Sequence, residues 1–158
     1  MPQHPRRIRE NQPTTAHDRS GASAALAAAL DVIGDRWTLL VVNALMNGPR
    51  RFGELQDEVP DIAANILTQR LRRLERDALV VARPYSTRPL RMVYELTAAG
   101  AELADVLTLL AGWGARRAGA EATGPRHTVC GSALEARWWC PTCRELVEES
   151  SDEELHFL

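Results

Sequence analysis

Two short motifs near the C-terminal end carry residue types that can hold a metal ion. His127-Thr128-Val129-Cys130-Gly131 and Cys140-Pro141-Thr142-Cys143 each set two soft ligands three positions apart, with nine residues between the pairs. Such spacing lets each pair wrap a tight turn around one ion, with Gly131 and Pro141 serving the turns. Three thiolates and one imidazole complete a tetrahedral shell, which is zinc chemistry of the closed, structural kind. Leu134, Trp138 and Trp139 lie between the pairs and suit a small ribbon hairpin. A segment of this size, residues 125–147, cannot bury enough surface to fold without a staple. The same residues also admit a reversible Cys140–Cys143 dithiol or plain reduced thiols, and His156 is an alternative fourth ligand. The three cysteines are odd in number and all late in the chain, which argues against a disulfide framework.

A second constellation lies on a stretch with helical periodicity, residues 62–77. With about 3.6 residues per turn, Ala63, Ile66, Leu67, Leu71, Leu74 and Ala78 share one face. Asn65, Thr68, Gln69, Arg72 and Arg76 share the opposite one. Asn and Gln can pair with adenine edges and Arg with guanine or phosphate. Residues of the first two helical turns usually reach bases and later ones backbone. Asn65, Thr68 and Gln69 are therefore expected on base edges, Arg72 and Arg76 on phosphates. A solvated helix face is the plain alternative. Arg83, Tyr85, Arg88 and Arg91 in the following segment add types that contact phosphate or minor groove, with Pro84 and Pro89 stiffening the tip.

The elements that must position these groups can be read from periodicity. Residues 1–21 read as a disordered arm. Residues 23–32 form an Ala-rich helix with Leu26, Leu30 and Ile33 at helical spacing. Gly34-Asp35 interrupts, and a second helix spans 36–46 with Trp37 on its apolar face. Asn47-Gly48-Pro49 stops it. A short helix over 53–59 ends at Pro60. Asp61 is a candidate N-cap for the helix over 62–77. Segments 79–83 and 90–96 make a hairpin about a turn-rich tip, 84–89. Thr97 caps a last long helix over 98–118, with Leu103, Val106, Leu107, Leu110 and Trp113 along one side. This order is that of a mostly helical winged helix-turn-helix domain over 22–120, with a β-hairpin wing. The Cys/His module over 125–147 and an acidic tail over 148–158 follow.

The chain has 158 residues and a formal net charge of −2, so it is not basic overall. The charge is segregated: residues 62–91 hold seven Arg against two acids, a net of +5, and residues 145–158 hold six acids and no Arg. No stretch approaches the ~18 apolar residues of a membrane span, and no apolar segment follows the N-terminal charges, so a cytoplasmic location is expected. Enzyme signatures are missing: there is no Gly-rich phosphate loop, no GxSxG and no HExxH. The +5 stretch favours double-stranded DNA as partner. The alternative is a winged-helix protein-interaction module that uses the ribbon and the acidic tail.

Four motifs in order then resemble one family. Asp31-Val32-Ile33-Gly34-Asp35-Arg36-Trp37-Thr38-Leu39-Leu40 resembles the GxKW opening of HxlR-type regulators, with Arg in place of Lys. Arg51-Phe52-Gly53-Glu54-Leu55 resembles their RFxEL. Leu67-Thr68-Gln69-Arg70-Leu71-Arg72-Arg73-Leu74-Glu75 is similar to their recognition helix, and Tyr94-Glu95-Leu96-Thr97-Ala98-Ala99-Gly100 to their second wing strand and final helix start. The match covers residues 24–118. The resemblance implies a bacterial homodimeric transcription factor that binds a palindromic operator and dimerises through its first and last helices. Leu26, Leu30, Leu103, Leu107, Leu110 and Trp113 are the expected seam. A small-molecule effector is compatible with this reading, and no residue is assigned to it. Several redox sensors of the family use an N-terminal Cys. This chain has none before Cys130, so that mode of sensing is not carried over.

Overall fold

A computed structural model describes residues 16–120 and 124–147 of the chain. The first helix, α1, spans Ala16–Ile33, and α2 spans Arg36–Leu45. Helix α1 thus takes in residues 16–21, which composition assigns to the arm. Residues 1–15 and the acidic tail, 148–158 with His156, lie outside the described residues. Gly34 closes α1 through its N–H to the Leu30 carbonyl, 2.7 Å. Asp35 then caps α2, its carboxylate accepting from the N–H groups of Trp37 (2.8 Å) and Thr38 (3.1 Å).

A two-residue strand, β1 (Arg50–Arg51), leads into α3 (Phe52–Glu58). Glu54 reaches back to accept from the Arg51 N–H at 2.6 Å, which holds the first turn of α3. The helix α4 spans Ala64–Arg76, two residues shorter at its start than its periodicity suggests. Asp61 does not cap it: Asp61 takes a left-handed backbone (φ 62°) and Ala63 is the N-cap, without a side-chain bond. The reason lies in packing. Ile62 is buried, so the chain turns at Asp61 to drive it into the core before the helix begins. Leu67, Leu71 and Leu74 form the buried face of α4; Ala63 and Ala78, at or beyond its ends, are exposed.

The wing is a hairpin of β2 (Val80–Thr87) and β3 (Leu90–Leu96). It is longer than alternation alone suggests, because β2 continues through Pro84 by a bulge at Tyr85, pairing Pro84 with Met92 and Ser86 with Arg91. β1 adds to β3 through Arg50–Tyr94 and Arg51–Val93, giving a three-stranded antiparallel sheet in the order β1-β3-β2. The last helix divides at Glu102 into α5 (Ala98–Ala101) and α6 (Leu103–Arg117). Thr97 caps α5 as its sequence suggests: its hydroxyl oxygen accepts from the Gly100 N–H at 3.1 Å and donates to the Ala78 carbonyl at 2.6 Å.

One core unites these elements. Val41, Val42 and Leu45 of α2 meet Leu55 and Val59 at α3, Leu67, Leu71 and Leu74 of α4, Val80 of β2 and Leu107 of α6. Trp37 packs half-buried against it, as a core aromatic. Beyond α6 a short hairpin of β4 (Trp138–Cys140) and β5 (Glu145–Val147) follows.

Candidate nucleic-acid interface

The core fixes which side of α4 faces outward. Because Leu67, Leu71 and Leu74 are buried, Asn65, Gln69, Arg72 and Arg76 form an exposed stripe at helical spacing on the opposite side. Thr68 is half-buried, and its hydroxyl donates to the Ala64 carbonyl at 2.8 Å, leaving its oxygen lone pairs for an incoming donor.

The seven arginines of residues 62–91 fall into two groups. Three are engaged within the protein. Arg70 grips Asp35 with two bonds, Nε to Oδ1 at 3.0 Å and Nη2 to Oδ2 at 2.6 Å, tying α4 to the start of α2. Arg73 donates to the Asp31 carbonyl and lies 3.6 Å from Asp77. Arg83 pairs with Glu95 across the wing at 2.5 Å. Arg72, Arg76, Arg88 and Arg91 are exposed and make no ion pair among the described residues. The net positive charge therefore concentrates on the outer stripe of α4 and on the wing tip.

Asp35 is the hinge of this arrangement. Burial pulls its carboxyl pKa upward, but the Thr38 N–H, the Arg70 guanidinium and the Trp37 N–H outweigh that and hold it below the ordinary aspartate value. Tyr94 on β3 lies within Coulombic reach of Glu75 and Arg72. Burial first, then the Glu75 charge, raises its phenol pKa against the opposing pull of Arg72. Tyr85, 41% exposed at the bulge, is covered by the Arg51 guanidinium 4.5 Å from its ring centre. The contact fastens the wing to the start of α3. The Asp35–Arg70 grip and the Arg51–Tyr85 stack join residues far apart in the chain, so no local pattern announces them. Only Asp35 at a helix start carries a readable signal.

The expected seam residues divide as well. Leu107 is buried in the protomer core, which leaves it little surface for a seam, and Leu103 is partly buried against that core. Leu26, Leu30, Leu110 and Trp113 are 47–62% exposed, and Val106 and Leu109 join them on α6.

The four candidate metal ligands sit on two turns. His127 Nδ1 lies 3.3 Å from Cys130 Sγ, and the Cys143 N–H points to Cys140 Sγ at 3.5 Å. Each pair is thus together, yet among the described residues no three His, Cys, Asp or Glu side chains form one group. Bonds from the Ser132 hydroxyl and N–H, then from His127, bring the Cys130 thiol down to about 7. Cys140 is lowered by the Cys143 N–H, then by the Cys143 side chain and the Thr142 N–H.

A short helix, a turn, a one-sided helix with an amide- and guanidinium-bearing outer face, and a hairpin wing define a winged helix-turn-helix protein. Residues 32–122 match the model of the HxlR-like helix-turn-helix family. The chain is 36% identical over 126 residues to "Uncharacterized HTH-type transcriptional regulator Rv3095" of Mycobacterium tuberculosis, spanning 78% of this chain and 79% of that protein. It is 32% identical over 88 residues to the HTH-type transcriptional regulator YodB of Bacillus subtilis, spanning 56% of this chain and 79% of that protein. Among solved structures, the redox regulator HypR in its reduced form superposes with a TM-score of 0.57 at 31% identity, covering 60% of this chain and 93% of that one. The HTH-type regulator ytcD gives a TM-score of 0.56 at 35% identity, covering 60% and 96%. The chain belongs to the HxlR-like helix-turn-helix family, and with it to the DNA-binding transcriptional regulators rather than to the enzymes. Among the described residues no helix is long and apolar enough to cross a membrane.

Proposed function

We propose that the protein acts as a homodimer on a palindromic double-stranded operator, with α4 of each protomer in the major groove and each wing on the backbone or minor groove. Asn65, Thr68 and Gln69 read base edges; Arg72 and Arg76 meet phosphates. Tyr85, Arg88 and Arg91 carry the wing contact, and Arg83 contributes less because Glu95 already neutralises it. The observation that carries this reading is the separation of the arginines. Arg70, Arg73 and Arg83 are engaged by Asp35, the Asp31 carbonyl, Asp77 and Glu95, while Arg72, Arg76, Arg88 and Arg91 on α4 and the wing have no ion-pair partner among the described residues. A face evolved only for solubility has no reason to sort its charges in this way. The apolar surfaces left on α1 and α6 support pairing of two copies, which the two half-sites of a palindrome require.

Electrophoretic mobility shift at two salt concentrations tests the partner class. Arg72, Arg76, Arg88 and Arg91 from two protomers make up a set within the range of about 6–10 phosphate contacts. Affinity should then fall by roughly 10³–10⁵ between about 50 and 200 mM salt. Salt-insensitive or absent DNA binding would instead favour a protein-docking wing.

A further inference from the structure

The two Cys/His motifs fold into the same local shape, although they share no sequence beyond the ligand positions. In the first, the carbonyl of His127 accepts from the Gly131 N–H at 2.7 Å, and Gly131 is left-handed at φ 73°. In the second, the carbonyl of Cys140 accepts from the Arg144 N–H at 2.8 Å, and Arg144 is left-handed at φ 57°. Each turn is thus closed by a bond from the fifth residue to the first, and each brings its fourth residue to its first: His127 Nδ1 lies 3.3 Å from Cys130 Sγ, and Cys140 Sγ accepts from the Cys143 N–H at 3.5 Å. A left-handed Arg is uncommon, because its Cβ is crowded in that conformation. Arg144 adopts it at the position that Gly131 fills in the first motif. Each turn also sits at the tip of a small antiparallel ladder: Arg126 bridges Ala133 around the first, and β4 pairs with β5 around the second.

These turns stand on almost nothing else. No residue between Pro125 and Val147 is buried. Val129, Leu134, Trp138, Trp139 and Leu146 are each at least half exposed. Backbone bonds alone do not hold so short a segment against its conformational entropy, so a module of this kind needs an external staple.

We propose that His127, Cys130, Cys140 and Cys143 bind one zinc ion per chain, as a closed structural site that joins the two turns. Each turn presents its two ligands together before the metal arrives, and the ion supplies the link that the module's missing core does not. Binding and ordering of residues 125–147 are then one event. The metal is a borderline-soft divalent cation because the donors are three thiolates and one imidazole. Nothing in this assignment depends on how the helical domain uses DNA.

The full-length protein, purified reduced from zinc-supplemented culture, tests the site. Elemental analysis should find one zinc per chain. Cobalt(II) in its place should give intense tetrahedral ligand-field bands together with thiolate charge-transfer absorption. Cys140→Ser and Cys130→Ser should each lose the metal, and chelation of the wild type should red-shift the emission of Trp138 and Trp139. Helicity by circular dichroism should persist in both variants, which separates loss of the site from loss of the fold. His127→Cys should keep the metal and His127→Ala should lose it, while His156→Ala should leave it in place. Zinc far below one per chain overturns the proposal, as does half an ion per chain, which would mark a site shared between copies. Retention of zinc by Cys140→Ser, or its loss on His156→Ala, overturns the ligand set.

Discussion

Asp35 and Gln69 show how differently placed residues bear on one function. Asp35 touches no DNA in this account; it caps α2 and holds Arg70, and so sets the angle at which α4 leaves the core. Its folded pKa lies below the ordinary value. The stability it contributes is therefore full above the unfolded pKa and is lost as pH falls through the folded one. Asp35→Asn keeps a capping side chain but removes the negative charge that faces Arg70. It should cost about 1 kcal/mol at neutral pH. In urea unfolding, the gap between variant and wild type should close as pH drops below about 4. A constant gap across that range would deny Asp35 this role. Gln69→Ala should leave stability unchanged and alter preference at one operator position, by about 1–3 kcal/mol. Arg88→Ala should weaken all duplexes alike and flatten the salt slope by roughly one unit. A uniform loss from Gln69→Ala, measured by anisotropy on single-base operator variants, would move that residue from bases to backbone.

At the scale of elements, α4 and its flanks were the most legible part of the chain. A stripe of leucines opposite a stripe of amides and arginines has a single packing solution, and Leu67, Leu71 and Leu74 are buried as their spacing requires. The start of α4 was less legible because Asp61 looks like a cap. The demand to bury Ile62 overrides that local preference. β1 was invisible for another reason: two arginines have no strand signature, and they pair only because β3 offers an open edge. Gly100 marks a close approach of the same kind. A Cβ at Gly100 would overlap the Leu79 carbonyl oxygen and press on Leu96 Cδ2 at 3.2 Å. The start of α5 is thereby locked to the α4–β2 connection. Gly100→Ala should destabilise the domain by about 1–3 kcal/mol in chemical denaturation, despite the better helix propensity of alanine. A stabilised variant would mean that α5 can retreat without cost.

The whole molecule shows apolar surface where a lone protomer should not. Leu26 and Leu30 on α1, and Val106, Leu109, Leu110 and Trp113 on α6, stay exposed while the core closes without them. Sequence spacing placed Leu103 and Leu107 on the same side, because a helix stripe cannot by itself divide core from seam. That division depends on where α2 lies. Leu110→Asp combined with Trp113→Arg should give monomers in sedimentation at micromolar concentration, with unchanged helicity and a large loss of operator affinity. The same changes at Leu107 should unfold the protomer instead. At this scale the proposed zinc site would make the C-terminal module its own unit of folding. If zinc is held as proposed, its binding supplies an apparent free energy of about 10–16 kcal/mol, far more than 23 residues without a buried side chain could gather. Selection from a pool of randomised duplexes decides whether two copies present two α4 helices to one duplex. An inverted repeat with half-site centres about 10–10.5 base pairs apart, or a multiple of that, should be enriched, its preferred bases altered by Gln69→Ala. Recovery of a lone half-site, or of no preferred sequence at all, would contradict that arrangement.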